Sequence, residues 1–278
     1  MKRYLPFALL LLAACGKENP TDAEKRWTLP LRQTIVTTDM LSGNTTGSRE
    51  TSWRYDDEER VVLLKMGDRN SLIVQNFLYD GPCTYTAMMA YDADGVQTAS
   101  GWGNTRSEKD SLDRTVLERG EGANNDEEAA FGQIEYEYDA QGRVIRQTNR
   151  SGDGSVILRQ ETTYGERRKG CREEYCFSQK ETPVTTVREI VYADDELKRP
   201  LTERSETTEA EGMEPEVRNV TYTYDSRGRL TGMDERRGTS ARISSEYKYR
   251  DKRLTYETIE YEDGIARRKI RTETEYQY

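Results

Sequence analysis

The sequence predicts an all-β protein, an antiparallel meander of consecutive β-hairpins, and three observations carry that prediction. A short phrase, Tyr-x-Tyr-Asp-x-x-Gly-Arg followed by an aliphatic residue, recurs along the chain. Between its copies the residues alternate in polarity, as they do on strands. Tyrosine is abundant at 18 residues, whereas hydrophobic residues make up only 34% and charged residues 33%, so order has to come from something other than a large aliphatic core.

In chain order, the first element is an export segment. Lys2 and Arg3 form a positive start, Leu5 to Leu12 an apolar run too short to span a bilayer as a helix, and Leu12-Ala13-Ala14-Cys15 resembles the bacterial lipobox. The resemblance implies cleavage after residue 14, acylation of Cys15 and a membrane anchor of two or three chains. The polar, turn-prone stretch Gly16-Lys17-Glu18-Asn19-Pro20-Thr21-Asp22 continues as a flexible spacer, so residues 15–26 are tether and residues 27–278 a single domain. Acidic and lysine residues behind the cysteine are similar to surface-export signals of Bacteroidota lipoproteins. The expected location is the outer membrane, on its periplasmic or outer side.

The repeat phrase is fullest at Tyr136-Glu-Tyr138-Asp139-Ala-Gln-Gly142-Arg143-Val144 and Tyr222-Thr-Tyr224-Asp225-Ser-Arg-Gly228-Arg229-Leu230. A looser copy is Tyr247-Lys-Tyr249-Arg250-Asp251-Lys252-Arg253-Leu254, and weaker ones begin at Trp53, Tyr91, Val191 and Tyr261. Tyr-x-Tyr puts both rings on one strand face, Asp opens a turn by accepting backbone N–H bonds, Gly closes it at positive φ, and Arg-Val or Arg-Leu starts the return strand. About sixteen strands are expected from Trp27 to Tyr278. One helix is expected at Ser107 to Glu118, where Ser107 and Asp110 look like a capped start. Polar loops are expected at 42–48 and 121–128.

So many antiparallel strands leave exposed edges that closure into a barrel removes. Charge falls on both faces of Asp234 to Arg237, Glu203 to Glu209 and Arg267 to Glu275, and an Arg or Lys facing lipid costs about 2–4 kcal/mol at the membrane midplane. The barrel is therefore expected to stand in water. The phrase resembles the YD repeat of the Rhs family, whose hairpins wind into β shells, and the chain is similar to Bacteroidota lipoproteins of unknown function with a porin-like barrel. These resemblances imply architecture and transfer no catalytic residue.

Composition bounds the chemistry. With 42 basic and 51 acidic residues the net charge is −9, which disfavours nucleic acid as a partner. There is no histidine, so the commonest general base and metal ligand are missing, and no cofactor, metal or catalytic residue is assigned. Besides Cys15, the thiols are Cys83, Cys171 and Cys176; Cys171 and Cys176 are expected to form a disulfide across a four-residue turn, leaving Cys83 unpaired or paired between chains. Asp92-Ala-Asp94-Gly95 and Asp56 to Glu59 read as turns before they read as calcium loops. Tyr136, Tyr138, Tyr222, Tyr224, Tyr247, Tyr249 and Trp102 are the candidate ligand contacts, rigid aromatic platforms for sugars or peptides, with Trp102 placed in a loop between Gly101 and Gly103. The expected function is non-catalytic capture of a glycan, peptide or other small ligand. The alternative is a scaffold contacting another envelope protein, and a glycan hydrolase would need clustered carboxyls with raised pKa values.

Overall fold

The computed structural model describes residues 29–276 apart from 125, 126, 177–182, 195, 210, 211 and 251. The export segment, Cys15 and the spacer lie outside the described residues. Eighteen strands follow one another: β1 (Pro30–Asp39), β2 (Thr45–Tyr55), β3 (Val61–Gly67), β4 (Ser71–Asp80), β5 (Cys83–Asp92) and β6 (Gln97–Lys109). Then come β7 (Thr115–Asn124), β8 (Glu127–Tyr138), β9 (Val144–Arg150), β10 (Val156–Gly165), β11 (Arg168–Tyr175) and β12 (Val184–Tyr192). The last six are β13 (Pro200–Thr208), β14 (Glu216–Tyr224), β15 (Leu230–Arg237), β16 (Ala241–Arg250), β17 (Arg253–Glu262) and β18 (Ile265–Tyr276).

Each strand pairs antiparallel with the next, and β1 pairs with β18 as well as with β2, so the meander closes into a barrel. The expected sixteen strands are eighteen because two segments read as irregular are strands. Ser107 to Glu118 is no helix: β6 runs to Lys109, a turn follows, and β7 begins at Thr115. In that turn Asp110 Oδ1 accepts the Leu112 and Arg114 N–H groups at 2.9 and 3.0 Å, and Asp113 holds φ 62 where the two fullest copies have Gly142 and Gly228. It is a copy of the repeat hidden by the loss of its glycine. The expected loops at 42–48 and 121–128 likewise give way to β2 from Thr45 and to the facing ends of β7 and β8.

The repeat turn is built alike at Asp56, Asp110, Asp139 and Asp225 and is one residue longer at Asp194. At Asp139, the backbone N–H donates to Arg143 O at 2.9 Å, Gly142 N–H returns to Asp139 O at 3.0 Å, and Oδ1 accepts Gln141 and Arg143 N–H at 2.9 Å each. Oδ2 takes Arg143 Nε at 2.7 Å. Asp56–Arg60, Asp110–Arg114, Asp194–Arg199 and Asp225–Arg229 repeat the clasp. Those backbone N–H groups leave the αL residue and its successor the geometry of a three-residue hairpin with a bulge, and register breaks sit beside the turns at Arg54/Tyr55, Glu137/Tyr138 and Thr223/Tyr224.

Because turns alternate between the two barrel ends, all five Asp–Arg clasps lie on one rim, where even-numbered strands finish. Asp92, on the opposite rim, accepts Asp94 and Val96 N–H at 3.0 and 2.9 Å and has no arginine partner. Both calcium-like segments are thus turns.

Eighteen strands about 4.8 Å apart would enclose a lumen about 30 Å across if the wall were round, and among the described residues only strands paired in the sheet approach one another. Burial agrees with a single-layer wall. Among the described residues only Cys171, Tyr192 and Val220 are buried apolar side chains, beside nine buried polar ones that include Thr272, Thr274, Ser245, Glu203 and Glu235. Closure crowds side chains on the concave face and splays them on the convex one, so the less exposed residues of each strand point inward. On β14 these are Arg218, Val220, Tyr222 and Tyr224, with Asn219, Thr221 and Thr223 outward.

Candidate functional site

The inward face at the clasp rim carries the molecule's aromatic chemistry. Eight of the nine even-numbered strands end, within one residue, in tyrosine: Tyr55, Tyr79, Tyr138, Tyr164, Tyr192, Tyr224, Tyr249 and Tyr276; β6 has Lys109 instead. Several phenols reach across to the start of the preceding, directly paired strand. Tyr55 donates to Pro30 O at 2.8 Å, Tyr79 to Val61 O at 2.9 Å, Tyr138 to Thr115 O at 2.5 Å, Tyr164 to Val144 O at 3.1 Å and Tyr224 to Pro200 O at 2.7 Å. Four of the five clasp arginines then lie over the tyrosine of the next hairpin: Arg60 over Tyr79 at 4.5 Å, Arg114 over Tyr138 at 4.6 Å, Arg143 over Tyr164 at 4.2 Å and Arg229 over Tyr249 at 5.0 Å. The aspartate fixes the arginine, and the arginine covers the neighbour's ring. Rim tyrosines are therefore held by the wall itself. Tyr224→Phe, which deletes only the bond to Pro200, is expected to cost about 1 kcal/mol in urea unfolding, and an unchanged midpoint would show that this phenol does not brace the rim.

Two residues deeper on the same face lies a second tier, Trp53, Phe77, Tyr136, Tyr222 and Tyr247. Tyr136 donates to Glu118 Oε2 at 2.8 Å and Tyr222 to Glu203 Oε2 at 3.2 Å. Burial, with the Glu203 charge, pushes the Tyr222 phenol up to about 12. Tyr247 stacks on Tyr256 of β17 with centroids 5.1 Å apart and planes 28° apart, an offset-stacking arrangement. The six sequence-predicted tyrosines are thus brought to one face, in two tiers. Tyr55, Tyr79, Tyr164, Tyr192 and Tyr276 complete the rim and are not among the sequence-predicted contacts; Tyr-Asp or Tyr-Gly at a strand end is the signal that marks the first three, and Tyr192 and Tyr276 lack it.

Trp102 is not with them. It sits inside β6 opposite Ala87 and Ala123, on the outer face, 49% exposed. The flanking glycines suggested a loop, but both pair within the sheet.

Deeper still, an ionic network crosses β11 to β15. Arg218 reaches Glu203 at 2.6 Å and Glu235 at 2.9 Å, Arg237 reaches Glu235 at 2.5 Å, and Arg188 approaches Glu203 at 3.5 Å and Glu173 at 3.9 Å. Burial would raise the Glu235 carboxyl, but hydrogen bonds from Arg218 and Arg237 outweigh it and hold it below the usual range.

The Cys171–Cys176 disulfide does not form. Cys176 N–H donates to Ile157 O at 2.8 Å, continuing the pairing of β11 with β10, so five extended residues separate the pair by about 16 Å, beyond the ~7 Å limit for a bridge. Cys83, Cys171 and Cys176 are all free thiols. Arg-Glu-Glu-Tyr contains no turn former, which is the signal that could have told strand from turn.

No protein-family model matches the chain, and no curated protein does. Among solved structures it is similar to a porin-like protein from Bacteroides uniformis, at 9% identity over 88% of this chain and 96% of that one, with TM-score 0.39. A porin-like protein from Bacteroides vulgatus is 10% identical over 89% of this chain and 99% of that one, with TM-score 0.42.

Proposed function

We propose that this chain is a non-catalytic, lipid-anchored envelope protein whose barrel stands in water and whose lumen holds a glycan, peptide or other small polar ligand against the inner aromatic tiers. The observation that carries the reading is the placement of two aromatic tiers on one concave, half-wet face of a wall with no apolar core behind it. Aromatic faces stack on sugar or peptide surfaces, and carboxylates such as Glu118 and Glu203 accept hydroxyl or amide protons beside them. The Tyr247–Tyr256 stack is the best platform, since the rim tyrosines are occupied in bracing.

The outer-membrane anchor rests on the sequence, Lys2 to Cys15. Standing in water rests on the outward Arg172–Glu174, Arg204–Glu206 and Asp234–Arg242 pairs in mid-strand, which lipid would penalise by about 2–4 kcal/mol for each arginine at the midplane. The non-catalytic part rests on the carboxyls: among the described residues every carboxyl whose pKa moves, such as Asp139, Asp225, Glu235 and Glu257, moves down, whereas a general acid needs one moved up.

The test is a thermal-shift screen of residues 20–278, purified without detergent, against glycans, peptides and peptidoglycan fragments. A ligand at 100 times its Kd adds about 2.7 kcal/mol, an upward shift of roughly 5–10 °C at this size. The shift should vanish in Tyr247→Ala and Tyr256→Ala, and a folded sample that responds to nothing would sink the reading.

A further inference from the structure

The wall of β8 to β10 has two unlike faces. Outward it is ionic: Arg146 meets Glu137 at 3.0 Å and Glu161 at 3.4 Å, and Arg150 meets Glu135 at 3.5 Å. Inward, from Ile134 to Tyr164, the strand residues include no Lys, Arg, Asp or Glu. Register sets one inward row across four strands, in which Gln147 stands between Tyr136 and Gln160, and Gln160 beside Glu173, about 14 Å from end to end. Gln147 Nε2 donates to Asn149 Oδ1 at 2.8 Å and Gln160 Nε2 to Thr162 Oγ1 at 3.4 Å. These bonds run along each strand and steady the amides while leaving them donor and acceptor capacity toward the lumen. At one end of the row Tyr136 is fixed by Glu118 at 2.8 Å, and among the described residues no guanidinium lies over its ring, in contrast to the covered tyrosines of the rim.

We infer that this row is a subsite for an uncharged glycan, which lies across β8 to β10 with one sugar ring on Tyr136 and the next over Gln147 and Gln160. The inference rests on the lumen being the binding space, as proposed above, and adds where the ligand lies and what class it belongs to. A carboxamide presents a donor and an acceptor side by side, the pattern that adjacent hydroxyls of a sugar ring complete. The ladder step of about 4.8 Å between Tyr136, Gln147 and Gln160 is close to the length of one pyranose unit, so successive rings meet successive side chains. Covering such a neutral row strands no charge, as covering an ionic lining would. Anionic glycans are disfavoured by Glu118 and Glu173 at the two ends of the row and by a net charge of −9. Extended peptides commonly bind by adding a strand to an open sheet edge, and closure of β1 on β18 removes the edges.

Isothermal titration of the full chain, purified in detergent, tests this with neutral linear hexasaccharides of glucose, xylose and mannose, an oligogalacturonate as the anionic probe and an uncharged hexapeptide. A neutral hexasaccharide should bind. Gln147→Leu, Gln160→Leu and Tyr136→Ala, with strand content unchanged by circular dichroism, should each raise its Kd at least tenfold, and Thr163→Leu, outward on β10, should leave it unchanged. Binding of the oligogalacturonate or the peptide in place of the neutral sugars would overturn the inference and leave the lumen reading standing. So would a neutral sugar whose binding is lost in Tyr247→Ala and intact in both glutamine variants. A folded chain that binds none of these probes would overturn both.

Discussion

Replacing Arg218 by methionine is expected to destabilise the barrel by about 3–5 kcal/mol, lowering Tm by roughly 6–20 °C at the usual sensitivity of a chain this size. Arg218 bridges Glu203 and Glu235, which are 9% and 4% exposed. Without the guanidinium, Glu235 keeps only Arg237, and Glu203 keeps the Tyr222 hydroxyl and the distant Arg188, so two buried carboxylates lose their principal counter-charge. Lysine should recover part of the loss, because a point charge cannot fork to both carboxyls. The pH dependence has a definite sign. Glu235 is held low in the folded state, so its contribution is fully present above the unfolded value of about 4.3 and is lost as pH falls through the folded value. The gap between wild type and Arg218→Met should therefore be widest at neutral pH and narrow below about pH 4. Urea titrations at pH 7 and pH 4 measure it, and a loss under ~1 kcal/mol at pH 7 would mean the network is a solvated lumen lining.

Gly132→Ala is the second large effect. Gly132 has φ +85, and a Cβ there would stand 1.8 Å from Arg150 O and 2.7 Å from the Ser151 carbonyl carbon. It sits at a bulge where Gly120 faces Gly132 and Glu121 faces Ala130, so β8 is pressed against β9 with no room for a side chain. Backbone has to move, and the pairing of Gln133 with Arg150 is the contact that gives. A loss of about 3 kcal/mol or more is expected, within the range reserved for strain and broken backbone contacts. Gly154→Ala is the matched control, with φ +86 but nothing within 4 Å, and should show only the αL penalty of about 1–2 kcal/mol. Equal losses in the two variants would show that conformation, not contact, governs both.

How far the fold was legible can be followed at particular residues. Asp139 to Arg143 and Asp225 to Arg229 announce their turns, because each chemical requirement, an acceptor, a positive φ and a strand start, is met by its most suited residue. Asp110 to Arg114 meets the same requirements with Asp113 in place of glycine, and local pattern alone favoured a helix cap. Trp102 was misplaced for the converse reason: its two glycines look like loop formers but are strand residues. Cys171 and Cys176 were paired by proximity in sequence, which an extended strand turns into distance.

What the sequence by itself determined is the local grammar: strands with tyrosine on one face, Asp–Arg turns between them, an overall all-β meander, and a charged wall poor in aliphatic core. These depend on contacts within a few residues, where side-chain period and turn chemistry suffice. Only the tertiary structure decided that the clasps share one rim, that the tyrosines of eight hairpins gather there with four of the clasp arginines each over a neighbour's ring, and that Trp102 faces outward away from them. Those facts depend on register between strands and on closure of β1 against β18, which single out one face and one end of a wall whose repeats are locally alike.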